Sequence, residues 1–226
     1  MKLIHCQQGS ETWAKARAGV ITASKFKDAL STIAGKKKDG KEGPRLPSSK
    51  AELYAAQVAI ERISETPCDE NFNSWQMRRG QEIEPFARMA YESVSGNLAE
   101  ESGVALTDDN LFGYSTDGFI DDDGCIEIKC LVGALAVLEM WRDQDLSEYI
   151  HQIQGGLWIT GRKWCDFVMY CPQLESIDKQ LFTRRVVRDE ALIEKLEIDL
   201  LAFEKMVSAN EAILRSGTDV ALRIAA

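Results

Sequence analysis

The strongest constraint on the fold is a pair of strand-like runs, Gly113 to Ile120 and Cys125 to Cys130, separated by Asp121-Asp122-Asp123-Gly124. An acidic, glycine-ended stretch between two such runs is a hairpin turn. Side chains alternate along a strand, so Glu127 and Lys129 share one face while Ile128 takes the other, core-facing one. Closing the hairpin sets Asp117 roughly opposite that pair. The E-x-K strand is apolar on either side, at Cys125-Ile126 and Cys130-Leu131-Val132. Its charges therefore sit on a partly buried strand, where an unpaired charge is costly.

The rest of the chain supplies layers for this hairpin. Ser10 to Ala16 and Ser24 to Ile33 read as short helices around the turn at Ala18-Gly19, and Gly35 to Ser49 as a mobile loop. Pro47-Ser48-Ser49 caps a helix from Lys50 to Glu65, with Leu53, Ala56, Val58, Ala59 and Ile63 giving its apolar period, and a second helix runs from Asn73 to Ser95. Ala99 to Thr107 is a further strand. Beyond the hairpin come helices Gly133 to Arg142 and Glu148 to Thr160, then strands Asp166 to Cys171 and Gln180 to Val187. An amphipathic helix from Asp189 to Leu214 closes the chain, with Leu192, Leu196, Leu200, Phe203 and Val207 on one stripe. The expectation is an α/β (α+β) fold, a single domain over residues 1–226 with a central mixed sheet flanked by helices.

Composition narrows the function. A net charge of −9 excludes a protein that coats nucleic acid through bulk electrostatics, so any DNA contact must be local. Local basic clusters exist at Lys36-Lys37-Lys38 with Lys41, Arg45 and Lys50, at Arg78-Arg79, at Arg162-Lys163, and at Arg184-Arg185 with Arg188. Solvated loops and helix ends fit each cluster equally well. The 6 cysteines form no C-x-x-C pair, and with only His5 and His151 to assist them a structural zinc is not expected. The start of the chain turns polar before a secretory run could form, and the longest apolar run, around Leu131 to Leu138, is too short to span a bilayer. A cytoplasmic protein with reduced thiols and no membrane partner is expected.

The chemistry lies in three constellations. Asp117 and Glu127 are hard oxygen ligands suited to Mg²⁺ or Mn²⁺, and Lys129, held among anions, keeps its proton or shares it with an attacking water. A surface hairpin with a routine Glu/Lys neighbour pair fits the same residues. Glu84, in Arg79-Gly80-Gln81-Glu82-Ile83-Glu84, can share the helix face that packs toward the sheet, or lie on a solvated acidic turn. Tyr149, Gln152 and Ile153 share a helical face, and the Gln152 amide can bind a water or a phosphate, or be an ordinary buried glutamine.

Taken in order, Arg17-x-Gly19-Val20-Ile21-Thr22-Ala23-Ser24, Gly80-x-x-x-Glu84, Asp117-Gly118, Glu127-Ile128-Lys129-Cys130 and Tyr149-x-x-Gln152-x-Gln154 resemble the YqaJ-type viral recombinases of the lambda exonuclease family. That family belongs to the PD-(D/E)xK nuclease superfamily. The resemblance implies a restriction-endonuclease-like core and a Mg²⁺-dependent 5′-to-3′ exonuclease. Such an enzyme digests one strand of linear duplex DNA to mononucleotides and leaves a 3′ single strand for annealing recombination. It also implies a ring-shaped homotrimer threaded by DNA, and a phage-type single-strand annealing protein as partner. Residue by residue, Asp117, Glu127 and the carbonyl of Ile128 would bind metal, with Glu84 at a second ion or its water. Lys129 and Gln152 would position the nucleophile, Arg17, Thr22, Ser24 and Ser115 would form a pocket for the 5′ phosphate, and Tyr149 would contact DNA. Met77 falls where the family places an apolar wedge at the duplex end, though a core methionine fits as well. Thr116 stands where the superfamily has a proline, and Leu131 where one is common; neither position supplies a ligand. Two other readings use the same residues. One is another superfamily nuclease, an endonuclease or a RecB-like enzyme whose iron–sulfur cysteine spacing this chain does not match. The other is a DNA-end binding adaptor with a vestigial site, against which the complete acidic set and Lys129 speak.

Overall fold

A computed structural model describes residues 1–36, 42–68 and 75–216, with backbone alone at 36, 42 and 75–77. From the amino end, β1 (Lys2–Ile4) leads to α1 (Glu11–Arg17), whose cap residue Ser10 accepts a hydrogen bond from the Trp13 amide at 3.2 Å. β2 (Ile21–Thr22) is followed by a 3-10 turn at Ala23–Lys25, then α2 (Phe26–Ala29) and the hairpin of β3 (Thr32–Lys36) and β4 (Glu42–Pro47). Ser48 caps α3 (Ser49–Ser64), and α4 (Trp75–Ser95) ends at Gly96, whose φ of +74° suits glycine. Four strands follow, β5 (Val104–Leu106), β6 (Phe112–Tyr114), β7 (Gly118–Ile120) and β8 (Gly124–Lys129). Then come α5 (Ala134–Asp143), α6 (Ile150–Thr160), β9 (Trp164–Tyr170), β10 (Leu181–Val187) and α7 (Glu190–Arg215), the last capped by Asp189.

The strands make two mixed four-stranded sheets, ordered β1-β5-β6-β2 and β10-β9-β8-β7. The pairs β2–β6 and β8–β9 are parallel and the others antiparallel. A bridge between Glu100 and Phe119 joins the chain ahead of β5 to the edge strand β7.

The mixed α/β architecture is as expected, but four local expectations are corrected. Ser24 to Ile33 is not one helix: after α2 the β-branched pair Thr32-Ile33 enters a strand. The stretch expected as a mobile loop holds the end of β3 and all of β4, where Gly35 lies so close to the Pro44 carbonyl that a side chain would not fit; residues 37–41 lie outside the described residues. On α3 the buried stripe is Ala51, Tyr54, Ala55, Val58 and Ala59, leaving Leu53 and Ile63 exposed. The cause is tertiary, since Tyr54 stacks on Phe203 of α7 and its hydroxyl accepts the Thr22 amide. Finally, Gly113 to Ile120 is two strands in different sheets, with the break at Ser115-Thr116-Asp117.

The main core is gathered around α6, where the buried Phe26 and Phe112 form an aromatic cluster with the partly buried Trp158, each fully buried phenylalanine contributing roughly 1.5–3 kcal/mol. A second core lies on the other face of β8. There Ala87 and Tyr91 of α4 pack on Ile120, Ile126, Ile128 and Val168, which brings α4 over the hairpin.

Candidate active site

The site is built where the chain changes sheets. Hairpin pairing matches Gly118 with Ile126, so one step further back Asp117 stands against Glu127. Asp117 is fastened there by its own backbone and side chain: its amide donates to the Ile126 carbonyl at 3.2 Å, and its Oδ2 accepts the Ile128 amide at 2.6 Å. Thr116, in the position where a proline was expected, donates from its hydroxyl to the same Ile126 carbonyl at 2.7 Å. The Arg162 guanidinium lies over the Phe119 ring and donates to the carbonyls of Ile120, Asp121 and Gly124, securing the turn.

Glu127 is 2% exposed and Asp117 7%. Glu127 Oε2 accepts from the Tyr114 hydroxyl at 3.0 Å, while Oε1 takes Lys129 Nζ at 2.7 Å and the Gln152 amide in close contact. Tyr149 forms the amino-terminal cap position of α6, with its ring 5.8 Å from the Lys129 ammonium. Glu84 pairs with Arg88 one helical turn on, at 3.3 Å. With Asp117, Thr116, Gln81 and Arg88, Glu84 lines a cleft of about 590 Å³.

Electrostatically the cluster holds more acid than it neutralises. Burial raises the Asp117 carboxyl well above its usual range, and the neighbouring Glu127 and Glu84 charges push it further. Burial also raises Glu84, against the pull of Arg88. Lys129 moves up despite burial, because Glu127 and Asp117 hold its proton. Among the described residues, no three His, Cys, Asp or Glu side chains close around a point that could hold an ion unaided. Glu84 is turned to Arg88, and the closest acids are the pair Asp117 and Glu127. That set fits Mg²⁺, which uses one or two carboxylates and keeps its waters. A cation there would relieve the repulsion that raises Asp117.

A second group lies beside the first. Arg17 donates to the Ser115 hydroxyl at 3.1 Å and reaches Ser24 at 3.5 Å, while Thr22 and Ser24 hydroxyls lie 3.4 Å apart. The guanidinium stacks 4.4 Å from the Trp13 ring, and Trp13 Nε1 donates to Ser115 as well. Burial lowers the Arg17 pKa, and among the described residues no carboxylate pairs with it. A part-buried, fork-shaped cation among hydroxyls is suited to a phosphate. A smaller cleft of about 190 Å³ is lined by Ser24 of this group together with Lys129, Tyr149 and Gln152 of the first.

Sequence-proposed Glu127, Lys129 and Gln152 thus meet directly, Asp117 stands opposite Glu127 and shares the larger cleft with Glu84, and Arg17, Thr22, Ser24 and Ser115 form the second group. The side chain of Met77 lies outside the described residues, as do those of Lys36, Lys37, Lys38 and Lys41. Other basic clusters are spent on the fold: Arg185 on Asp166, Arg188 on Glu190, Lys163 on Asp123. Sequence reasoning missed Tyr114 and Arg88. The available signal was that a tyrosine inside an apolar strand needs a partner for its hydroxyl.

Residues 12–163 match the YqaJ-like viral recombinase domain. The chain belongs to that family. The chain is 32% identical to the alkaline exonuclease LHK-Exo from Laribacter hongkongensis over 92% of its own length and 97% of that one, with a TM-score of 0.77. The complex of LHK-Exo with dAMP gives the same identity and coverage and a TM-score of 0.78. A phage-related exonuclease from Haemophilus somnus 129PT, at 16% identity over 88% of this chain and 96% of that one, shares the fold with a TM-score of 0.64. No curated protein matches the sequence. The chain therefore has the restriction-endonuclease-like fold and sits in a family of nucleases that act on DNA. No helix among its described residues is long and apolar enough to cross a membrane.

Proposed function

We propose that this protein is a Mg²⁺-dependent exonuclease, accepting Mn²⁺ as well, that degrades one strand of linear duplex DNA from its 5′ end to mononucleotides. The observation that carries this reading is the buried pair Asp117 and Glu127 with Lys129, short of positive charge, beside the phosphate-suited group of Arg17 with Ser115 and Ser24. Asp117, Glu127 and the Ile128 carbonyl would hold one ion, and Glu84 would serve a second or its water. Bound there, the metal would polarise the scissile phosphate and acidify a water. Arg17, Thr22, Ser24 and Ser115 grip the terminal 5′ phosphate and so set the register of the strand. Lys129 and Gln152, which converge on one Glu127 oxygen, orient the attacking water and offset charge as it develops. Water oxygen bonds to phosphorus, the bond to the 3′ oxygen breaks, and a 5′ mononucleotide departs. LHK-Exo was crystallised with dAMP, a molecule of that product class.

Family membership extends the proposal. Residues 1–226 act as one nuclease domain, assembled as a ring-shaped trimer around DNA, with Tyr149 against the strand and Met77 at the duplex end. The 3′ single strand passes to a phage-type annealing protein in the bacterial or phage-infected cytoplasm. The deciding experiment incubates wild type and Lys129→Ala with linear duplex bearing a 5′ phosphate or a 5′ hydroxyl, with Mg²⁺ or with chelator. Mononucleotide release should require the metal, favour the phosphorylated end and vanish in the variant. Cutting of closed circles would replace the reading with an endonuclease, and end binding without cleavage with an adaptor.

A further inference from the structure

Tyr114 is the last residue of β6, and the residues after it each grip a different element as the chain crosses to the second sheet. Ser115 accepts from Arg17 and Trp13, Thr116 holds a β8 carbonyl, and Asp117 takes the Ile128 amide. The Tyr114 hydroxyl donates to Glu127 Oε2 at 3.0 Å with both residues buried. Its ring occupies a space that α6 leaves open at Gly156, where an added Cβ would come within 2.5 Å of Tyr114 Cε1. Burial and the Glu127 charge keep the phenol protonated, so it acts only as a donor toward that oxygen. Glu127 is left with two unlike oxygens, Oε2 tied to the interior and Oε1 shared by Lys129 and Gln152.

We propose that Tyr114 is a positioning residue: its hydroxyl fixes the Glu127 carboxylate through Oε2, so that Oε1 is the oxygen offered to the cation and to the Lys129–Gln152 pair. The inference rests on the metal-dependent reading of the site. A terminal carboxylate torsion is broad, and one strong donor on one oxygen narrows it. Partners that orient a ligand typically carry roughly 10–100-fold in metal affinity.

The test is Tyr114→Phe, which keeps the ring against Gly156 and removes only the hydroxyl. Tyr91→Phe is the control, because Tyr91 donates likewise to a buried carboxylate, Asp166, at 2.7 Å on the other face of the sheet. Calorimetric titration with MnCl₂ should show about tenfold weaker binding for Tyr114→Phe and wild-type binding for Tyr91→Phe. With linear duplex, Tyr114→Phe should lower kcat while leaving KM for DNA unchanged, with circular dichroism confirming the fold. Wild-type Mn²⁺ affinity and kcat in Tyr114→Phe, or a loss confined to melting temperature as in Tyr91→Phe, would overturn the inference alone. A wild-type protein that binds no Mn²⁺ and cuts DNA in chelator would overturn the functional reading, and this inference with it.

Discussion

Two buried carboxylates on neighbouring parallel strands have opposite characters. The β8–β9 register pairs Ile126 with Asp166 and Glu127 with Phe167, so Asp166 and Glu127 face opposite sides of one sheet. Each is almost fully buried, each accepts from a tyrosine hydroxyl, and each touches a cation. Asp166 is a closed arrangement: Arg185 grips it with two hydrogen bonds of 2.8 Å and stacks 3.5 Å from the Trp164 ring. Glu127 is an open one, because Asp117 and Glu84 crowd it and Lys129 alone answers directly. Burial and pairing therefore do not mark a working site by themselves. Acid left over after the local cations are counted is what sets the Glu127 cluster apart as the candidate site, because a cation could relieve that repulsion.

Breaking each side of this comparison should give inverted outcomes. The largest effect is on activity: Asp117→Asn and Lys129→Ala should each lower nucleotide release from linear duplex roughly 10³-fold, whereas Asp166→Asn should stay near wild type. Stability should reverse that order. Thermal unfolding in chelator should show Asp166→Asn losing about 2 kcal/mol, since it strands Arg185 and Tyr91. Asp117→Asn should gain about 1 kcal/mol, raising the melting temperature by about 2–4 °C for a chain of this size. Next, Mg²⁺ at about 100 times its Kd should stabilise wild type by about 2.7 kcal/mol, and Asp166→Asn equally, but not Asp117→Asn. Arg17→Ala should remove the rate preference for a 5′ phosphate over a 5′ hydroxyl, a ratio expected to fall about tenfold.

The smallest effect is alkaline. Burial and the bond to Asp166 push the Tyr91 phenol up from 10.0 to about 12. The native state therefore holds a proton that the unfolded chain has lost, so this contribution to stability is full below pH 10 and disappears as pH rises through about 12. Tyr91→Phe should flatten that part of the decline in melting temperature, and leave activity unchanged.

Much of this was legible in the sequence because it is local. Alternation alone put Glu127 and Lys129 on one face, the acidic turn set Asp117 roughly opposite that pair, and Pro47-Ser48-Ser49 announced α3 as its cap. Family motifs brought Arg17, Thr22, Ser24 and Ser115 together on paper before any contact was seen. The shifted face of α3 and the β3–β4 hairpin were not legible, because Tyr54 answers to Phe203 and Thr32-Ile33 to Leu46-Pro47, partners that no local period encodes.

By itself, then, the sequence determined the acid pair, its lysine and the hairpin that joins them, since backbone alternation and turn chemistry act over a few residues. Only the tertiary structure decided that the strand through Asp117 breaks between two sheets, that Tyr114 holds Glu127 from within, and that Arg185 matches Asp166 while Asp117 crowds the Glu127–Lys129 pair with further acid. Those outcomes depend on which strands pair and which helix covers each face, and such choices are settled by packing across the whole chain.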